Sequence, residues 1–262
     1  MDLHAYIINL DTAPDRWAFV SGHFKATGIP FTRVAGVWGR DVKLPHPRYS
    51  SRGFSLKHGH KTNFGHIGCY FSHLKCLEQF LQSSHTHAII AEDDASPTPK
   101  LKQIVERAIE YQPTWDVLRL CGFHDPHAKP YAPLLGDYQL AVCMTRLCGT
   151  ACYAVTRHGA ETLLAGLDPM SLPIDHAIDR EWAHGLSAAA VMPLPVSQRD
   201  HQFVTQCAEK PDHKLPWFLR YWSVFPYRSW NETNRFIHRR KQLRNAQRYV
   251  ASRTANPQRL AA

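Results

Sequence analysis

A short apolar run that ends in three consecutive acids constrains this chain more than any other stretch. Residues 88–91 are Ala-Ile-Ile-Ala, and Glu92, Asp93 and Asp94 follow directly. A short run of this composition predicts a buried strand. Adjacent carboxylates repel one another unless something positive lies among them. The segment therefore predicts either a solvated acidic turn or a strand end that binds a cation.

The alternation of side chains along a strand favours the cation. It predicts that Glu92 and Asp94 point to one side of the strand and Asp93 to the other. Two carboxylates on one side suit a hard divalent ion, which prefers oxygen ligands. Ligands of open α/β sheets also bind at the carboxyl ends of the strands. We therefore expect Asp94 and Glu92 to hold a metal ion.

The rest of the chain alternates between predicted strands and helices, which indicates an α/β sandwich with a mostly parallel sheet. The long segment 38–64 has no hydrophobic period and is predicted to be irregular. For the 262 residues, we predict a domain over 1–210 and an aromatic and basic extension over 211–262. Strands are predicted at 5–10, 31–34, 88–91, 115–121, 149–156 and 188–196, and helices at 16–27, 68–81, 100–111, 157–165 and 178–184.

The extension accounts for most of the net charge of +9. From Arg228 onward it has nine basic residues and one acid, Glu232. Before that point, residues 217–230 interleave aromatic side chains with arginines. This composition favours the surface of an anionic membrane, with a basic helix that lies in the interface. Aromatics that pack onto the domain beside a solvated helix are the alternative. No motif for nucleic acid accompanies the charge, so we expect no nucleic-acid partner.

The beginning of the sequence has neither a basic segment nor a long apolar stretch, so it predicts no secretory signal and a cytoplasmic protein. The seven cysteines include no C-x-x-C pair. We expect them to be reduced and packed as small apolar side chains.

Several motifs occur together in a characteristic order. The set resembles glycosyltransferase family 25, which includes bacterial lipooligosaccharide galactosyltransferases and collagen galactosyltransferases. Two positions depart from the pattern: His66 replaces an acid, and Trp17 replaces a second basic residue. The matching segments are 7–11 (Ile-Ile-Asn-Leu-Asp), 15–16 (Asp-Arg), 65–73 (Gly-His-Ile-Gly-Cys-Tyr-Phe-Ser-His), 92–94 (Glu-Asp-Asp), 149–153 (Gly-Thr-Ala-Cys-Tyr), 159–160 (Gly-Ala) and 173–175 (Pro-Ile-Asp).

The resemblance implies a GT-A-like, Rossmann-type fold and inverting transfer from a UDP-sugar, assisted by Mn²⁺ or Mg²⁺. It implies a hexose donor, with galactose as the first expectation, and a lipid-linked oligosaccharide acceptor of the lipopolysaccharide type. With the basic extension, this places the protein peripherally on the inner face of a bacterial inner membrane. A catalytically idle relative, which binds a nucleotide or glycan and scaffolds an assembly, is the competing hypothesis.

Inversion requires a base that accepts the proton of the acceptor hydroxyl. Asp175, which follows Pro173 and Ile174, is the first candidate, and His176 is the second. Asp is also a common helix cap, so Asp175 can instead cap a helix that begins near His176.

The remaining candidates are contacts of the donor. Asp93 is expected at the ribose or the sugar hydroxyls. Arg16 is expected to hold a phosphate or the base, or else to pair with Asp11 or Asp15 on the surface. Four further candidates are Asn9 in the first motif, His73 as a second-layer or substrate contact, Thr150 at a sugar hydroxyl, and Gln198 as a polar residue of the site.

Overall fold

The computed structural model of this protein describes residues 2–198 and 214–255. The strands are β1 (Leu3–Asn9), β2 (Phe31–Ala35), β3 (His87–Glu92), β4 (Ala95–Pro97), β5 (Val117–Arg119), β6 (Ala128–Pro133), β7 (Gln139–Cys143), β8 (Cys152–Thr156), β9 (Ala188–Met192) and β10 (Val196–Gln198). Eight of them form the central sheet, in the order β2-β1-β3-β8-β5-β9-β7-β6, and β10 pairs separately with β4. The helices are α1 (Pro14–Thr27), α2 (Ser51–His58), α3 (Phe64–Gln82), α4 (Leu101–Ile109), α5 (Arg157–Gly166), α6 (Ile174–Ile178) and α7 (Trp217–Ala255), and 3-10 turns lie at Gly39–Asp41 and Glu181–His184.

The predicted α/β class with a mostly parallel central sheet is confirmed. Within the large sheet, only β7 and β8 run against the direction of the other strands. Both faces of the sheet are covered, because alternate residues of β1 and β3 enter different cores. Ile7 and Ile89 pack with α1 and α4, whereas Tyr6 and Ile90 pack with α3 and α5. This double burial explains why residues 88–91 are uniformly apolar.

Three sequence predictions were wrong in detail. The segment 38–64 is not irregular throughout, because α2 lies within it and Ser50 caps that helix. The helix predicted at 178–184 is instead α6 followed by a 3-10 turn. The strand predicted at 188–196 ends at Met192, and β10 begins at Val196. The hairpin of β6 and β7 was not predicted at all.

Gly68, in the motif at residues 65–73, allows α3 and the preceding loop to approach each other closely. A Cβ atom at Gly68 would lie 2.6 Å from the Val37 carbonyl oxygen and 2.7 Å from the Gly39 nitrogen. Backbone cannot give way as a flexible side chain can, so a larger residue would push the loop away from the helix. The helix itself begins earlier than predicted, at Phe64, because Asn63 accepts a hydrogen bond from the Gly65 amide at 2.8 Å.

The basic C-terminal segment is one helix of 39 residues that packs against α2, the second 3-10 turn, β6 and β7. Its buried residues are mostly polar and comprise Val224, Asn231, Arg235, Arg239, Gln242 and Ala246. Among the described residues, no helix is long and apolar enough to cross a membrane. The predicted boundary at residue 210, between the domain and the C-terminal extension, stays a prediction, because residues 199–213 lie outside the described residues.

Candidate functional site

The acids after β3 line a cavity of about 620 Å³ at the carboxyl ends of β1 and β3. The beginning of β8 lies at the same edge, because β8 runs antiparallel to β3. This is the edge at which open α/β sheets bind ligands. Most predicted site residues meet here, since the lining includes Asn9, Arg16, Glu92, Asp93, Asp94, Thr150, Asp175 and Gln198, together with Trp38, Cys69 and Phe123.

All three acids face this one cavity, so the prediction that Asp93 points away from Glu92 and Asp94 was wrong. The strand ends at Glu92, and Asp93 and Asp94 form a turn before β4. Side chains alternate only while the backbone stays extended. The turn therefore brings Asp93 to the same side as its neighbours.

Asp93 is held by residues that precede it by about eighty positions. Asn9 donates a hydrogen bond to Oδ2 of Asp93 at 2.7 Å, and Nε of Arg16 donates to Oδ1 at 2.7 Å. Arg33 in turn fixes Asn9 by donating to its Oδ1 at 2.9 Å. The predicted surface pairing of Arg16 with Asp11 or Asp15 was thus wrong, because the guanidinium neutralises Asp93 instead.

Glu92 is held from the other side of the cavity. The hydroxyl of Thr150 donates to Oε1 of Glu92 at 2.9 Å, and Nε2 of the fully buried His73 lies 3.3 Å from the same oxygen. Burial raises the pKa of Glu92, but the contacts with His73 and Thr150 outweigh burial and leave the pKa below its usual value. His73 therefore lies behind the cavity wall. Of its two predicted roles, this position fits a residue that supports the site and not one that contacts the substrate.

Asp94 is the least satisfied of the three acids. Gln198 donates to its Oδ2 at 2.8 Å, whereas its buried Oδ1 has no hydrogen-bond partner among the described residues. Burial and the neighbouring Glu92 raise the pKa of Asp94 to about 7. A buried carboxylate oxygen without a partner is costly. Asp94 therefore has a buried oxygen that no described residue satisfies, and it would gain from a bound cation.

The donor set around Asp94 fits a hard divalent ion. The carboxylates Asp94 and Glu92 both line the cavity, and Arg16 lies 3.8 Å from Asp94 without forming a hydrogen bond to it. The side chains of Cys69 and His73 also reach Glu92 closely enough to share an ion with it. Oxygen ligands favour Mg²⁺ or Mn²⁺, and the thiol and imidazole would favour a softer metal.

Asp175 lies in the same cavity, near the first turn of α6. The alternative that it caps a helix beginning near His176 was wrong, because α6 begins at Ile174 and its cap position is Pro173, without a side-chain hydrogen bond. The carboxylate is thus available for other chemistry. His176 lines a different, smaller pocket, and burial lowers its pKa.

Sequence reasoning did not single out the aromatic rim of the cavity. Trp38 and Phe123 line it and keep 37% and 54% of their surface exposed. Large apolar side chains in an open cavity are suited to stacking against a base or a sugar ring. Neither residue follows a strand end in a recognisable motif, so the sequence held no signal for them. Of the segment 38–64, only Trp38 lines the cavity.

Comparison with known proteins adds a family. The model of glycosyltransferase family 25, described as LPS biosynthesis protein, matches residues 2–178. No curated protein matches the sequence.

Three solved structures show a distant likeness. A Drosophila beta-1,4-galactosyltransferase 7 mutant, in complex with manganese, UDP-Gal and xylobiose, has 13% identity and a TM-score of 0.41, with 78% of this chain and 76% of that chain covered. A glycosyltransferase involved in the glycosylation of the major capsid of PBCV-1 has 12% identity and a TM-score of 0.36, with 65% and 68% covered. A protein from STIV has 14% identity and a TM-score of 0.40, with 82% and 92% covered. These likenesses carry no argument about activity.

The family model matches well over half of the chain, and it includes the strand ends and acids that build the cavity. The chain belongs to glycosyltransferase family 25, and it is a glycosyltransferase.

Proposed function

We propose that this enzyme transfers a hexose, with galactose as the first expectation, from a UDP-sugar to a saccharide acceptor of the lipopolysaccharide type. The transfer inverts the anomeric centre and is assisted by Mn²⁺ or Mg²⁺. The observation that carries the proposal is the buried Oδ1 of Asp94, which has no hydrogen-bond partner among the described residues and belongs to an acid that lines the cavity together with Glu92. The volume of about 620 Å³ is within the range of small-ligand sites.

The residues divide the work between donor and acceptor. Asp94 and Glu92 would hold the ion, which when bound supplies positive charge for the departing diphosphate. Asn9 and Arg16 fix Asp93, so that its carboxylate stays in place for the hydroxyls of the ribose or sugar. Thr150 and His73 fix Glu92 in the same way. The donor site is thus held rigidly before any ligand arrives, which reduces the cost of binding.

Asp175 acts as the base in this proposal. Its side chain is 23% exposed and lies in the same cavity as the donor acids, on a different element. A carboxylate there can accept the proton of the attacking hydroxyl. His176 is less suited to this role, because it lines another pocket.

Calorimetric titration tests the proposal. UDP, UDP-galactose and UDP-glucose are each titrated into the full chain with and without Mn²⁺. We expect metal-dependent binding, with one sugar nucleotide preferred. The absence of binding by every UDP species to folded protein would contradict a UDP-sugar donor and favour the idle relative or another nucleotide.

The raised pKa of Asp94 predicts that metal binding stabilises the protein more at high pH. The pKa rises from 3.8 to about 7 on folding, so the folded protein binds this proton more tightly than the unfolded chain. Through this group, the metal-free protein is most stable below pH 3.8 and loses stability as the pH rises towards 7. A bound cation offsets the charge. We therefore expect Mg²⁺ to raise the melting temperature more at about pH 8 than at about pH 6. An equal rise at both values would contradict the assignment of Asp94.

We also propose that the start of α7 rests on an anionic membrane surface. Trp217 and Trp222 are each 78% exposed, and Phe225 is 63% exposed. Exposed aromatics beside basic residues suit the interface of a bilayer with negative lipids. The proposed lipid-linked acceptor would lie at that surface.

Replacing Trp217 and Trp222 together by Ser is expected to reduce binding to phosphatidylglycerol vesicles about tenfold or more, because the apolar area that the two rings would bury in the bilayer interface is lost. Sedimentation with the vesicles measures this, and vesicles of phosphatidylcholine serve as the control. Unchanged binding to the anionic vesicles would contradict the membrane contact.

A further inference from the structure

A second, cationic pocket lies behind α6. Its basic members are Lys57, Arg146, Arg180, Arg228 and Arg235, and the acid beside them is Glu232. The basic residues come from α2, from the segment before β8, from the segment after α6 and from α7. Cations from four parts of the chain thus meet at one place.

The pocket has more positive charge than its own acid neutralises. Arg146 pairs with Glu232 at 3.1 Å, and Arg235 pairs with Glu232 and Asp179. Lys57, Arg180 and Arg228 form no ion pair with any acid that the structure describes. Burial and Arg180 lower the pKa of Lys57, and burial, Arg146 and Arg220 lower that of Arg228. These cations repel one another, and an anion among them would remove the repulsion.

Neutral contacts hold two of these cations in position without an anion. Nζ of Lys57 donates to Oγ of Ser171 at 2.9 Å, and Nε of Arg180 donates to Oδ1 of Asn231 at 3.0 Å. The guanidinium of Arg180 also lies 5.2 Å from the Trp182 ring centre and 5.6 Å from that of Tyr227. Such contacts leave further donor groups of the cations available. The pocket is therefore prepared for a ligand that accepts hydrogen bonds.

The position of the pocket relates it to the proposed acceptor side. Asp175 lines the large cavity, and the next residue, His176, lines the cationic pocket. Both residues belong to the short helix α6, and Nε2 of His176 lies 4.0 Å from Oδ2 of Asp175. A saccharide bound with one hydroxyl at Asp175 would have to extend only a short way to bring a charged substituent to the cations.

We propose that the cationic pocket binds an anionic group, a phosphate or a carboxylate, on the saccharide acceptor. This assignment rests on the proposed function, in which Asp175 faces the acceptor. The enzyme would then select acceptors that carry a negative charge near the hydroxyl that is glycosylated. Arginine and lysine are the side chains best suited to such oxyanions.

The test uses inorganic phosphate, titrated calorimetrically into the full chain without divalent metal and at constant ionic strength. The double variant Lys57→Gln with Arg228→Gln is expected to bind phosphate about tenfold more weakly or worse, because two charge-assisted contacts are lost. The matched control, Arg244→Gln with Arg248→Gln, removes the same charge from exposed positions of α7 and should change the affinity less than about twofold. Arg228→Gln alone breaks no hydrogen bond between described residues, and it serves as the second variant if the double variant fails to fold.

Three results would overturn the assignment. They are absence of phosphate binding by the unaltered protein, unchanged phosphate affinity in the double variant, and an equal loss in the control. Phosphatidylglycerol vesicles identify the source of the anion: the double variant should still bind them, and a parallel loss would show a site for lipid headgroups instead. Titration with UDP-galactose and Mn²⁺ separates this proposal from the donor chemistry, because phosphate binding without any UDP binding would contradict only the proposed function.

Discussion

Asp94→Asn is expected to abolish metal-dependent binding of the sugar nucleotide and to leave the fold intact. An amide keeps the hydrogen-bonding shape but removes the charge that attracts a divalent ion. Loss of a residue that hydrogen-bonds to a metal ligand typically lowers metal affinity about 10- to 100-fold. Loss of the ligand itself should therefore lower it more than about a hundredfold. The variant should melt no earlier than the unaltered protein at neutral pH, because ionisation of Asp94 costs stability there. Titration of UDP-galactose with and without Mn²⁺ measures the effect, and thermal unfolding checks the fold.

Asp137→Asn is the matched control for this variant. Asp137 is an exposed residue in the turn between β6 and β7, so its loss changes the net charge equally but leaves the cavity untouched. Its nucleotide binding should stay within about twofold of the unaltered protein. Retention of Mn²⁺-dependent binding by Asp94→Asn would refute the metal assignment. The same loss in both variants would point to a general effect of charge.

The centre of the site could be predicted from the sequence because its signals are local. A short apolar run followed by acids identifies β3 as a buried strand and shows the edge of the sheet at which it ends. The apolar strand β1 likewise ends at a polar residue of the site, Asn9. The directions of the side chains could not be predicted in the same way. Alternation holds within β3 and fails after Glu92, where the backbone turns.

Contacts between distant segments were beyond sequence reasoning. Arg16 pairs with Asp93, 77 positions later, and Gln198 contacts Asp94, 104 positions earlier. Nothing in the neighbourhood of Arg16 distinguishes that partner from the nearer Asp15. The pairing also bears on the idle relative, because Arg16 already neutralises part of the acid cluster. The intact acids alone are therefore weaker evidence for a bound metal than Oδ1 of Asp94, which lacks a partner among the described residues.

The packing of α7 against the domain could not be predicted from the sequence either. Its buried seam consists mainly of polar side chains, so the hydrophobic pattern that normally reveals a packed helix is missing. The basic composition predicted solvent or membrane, yet Arg235 and Arg239 are buried in the domain. The net charge of a segment thus says little about which of its cations reach the surface.

Arg239→Met is expected to destabilise the protein by about 3–5 kcal/mol, because it leaves a buried charge without its partner. Arg239 donates to Oε1 of Glu181 at 2.5 Å and to Oδ1 of Asp179 at 2.9 Å. Glu181 is fully buried, and Arg239 is the partner of its carboxylate. The melting temperature should fall by about 6–20 °C.

Two further variants separate this buried pairing from the general effect of removing a charge. Arg240→Met, an exposed neighbour, should change stability by less than about 0.5 kcal/mol. Combining Arg239→Met with Glu181→Met removes both charges and should recover part of the loss, as apolar replacements of buried pairs often do. The single variant Glu181→Met completes the double-mutant cycle. Guanidinium unfolding of the unaltered protein, Arg239→Met, Glu181→Met and the double variant then gives the coupling free energy. Equal stability of Arg239→Met and Arg240→Met would contradict the buried network. A large coupling would show that α7 is an integral part of the domain, so that the membrane contact proposed for its first turns would be fixed rigidly relative to the donor cavity.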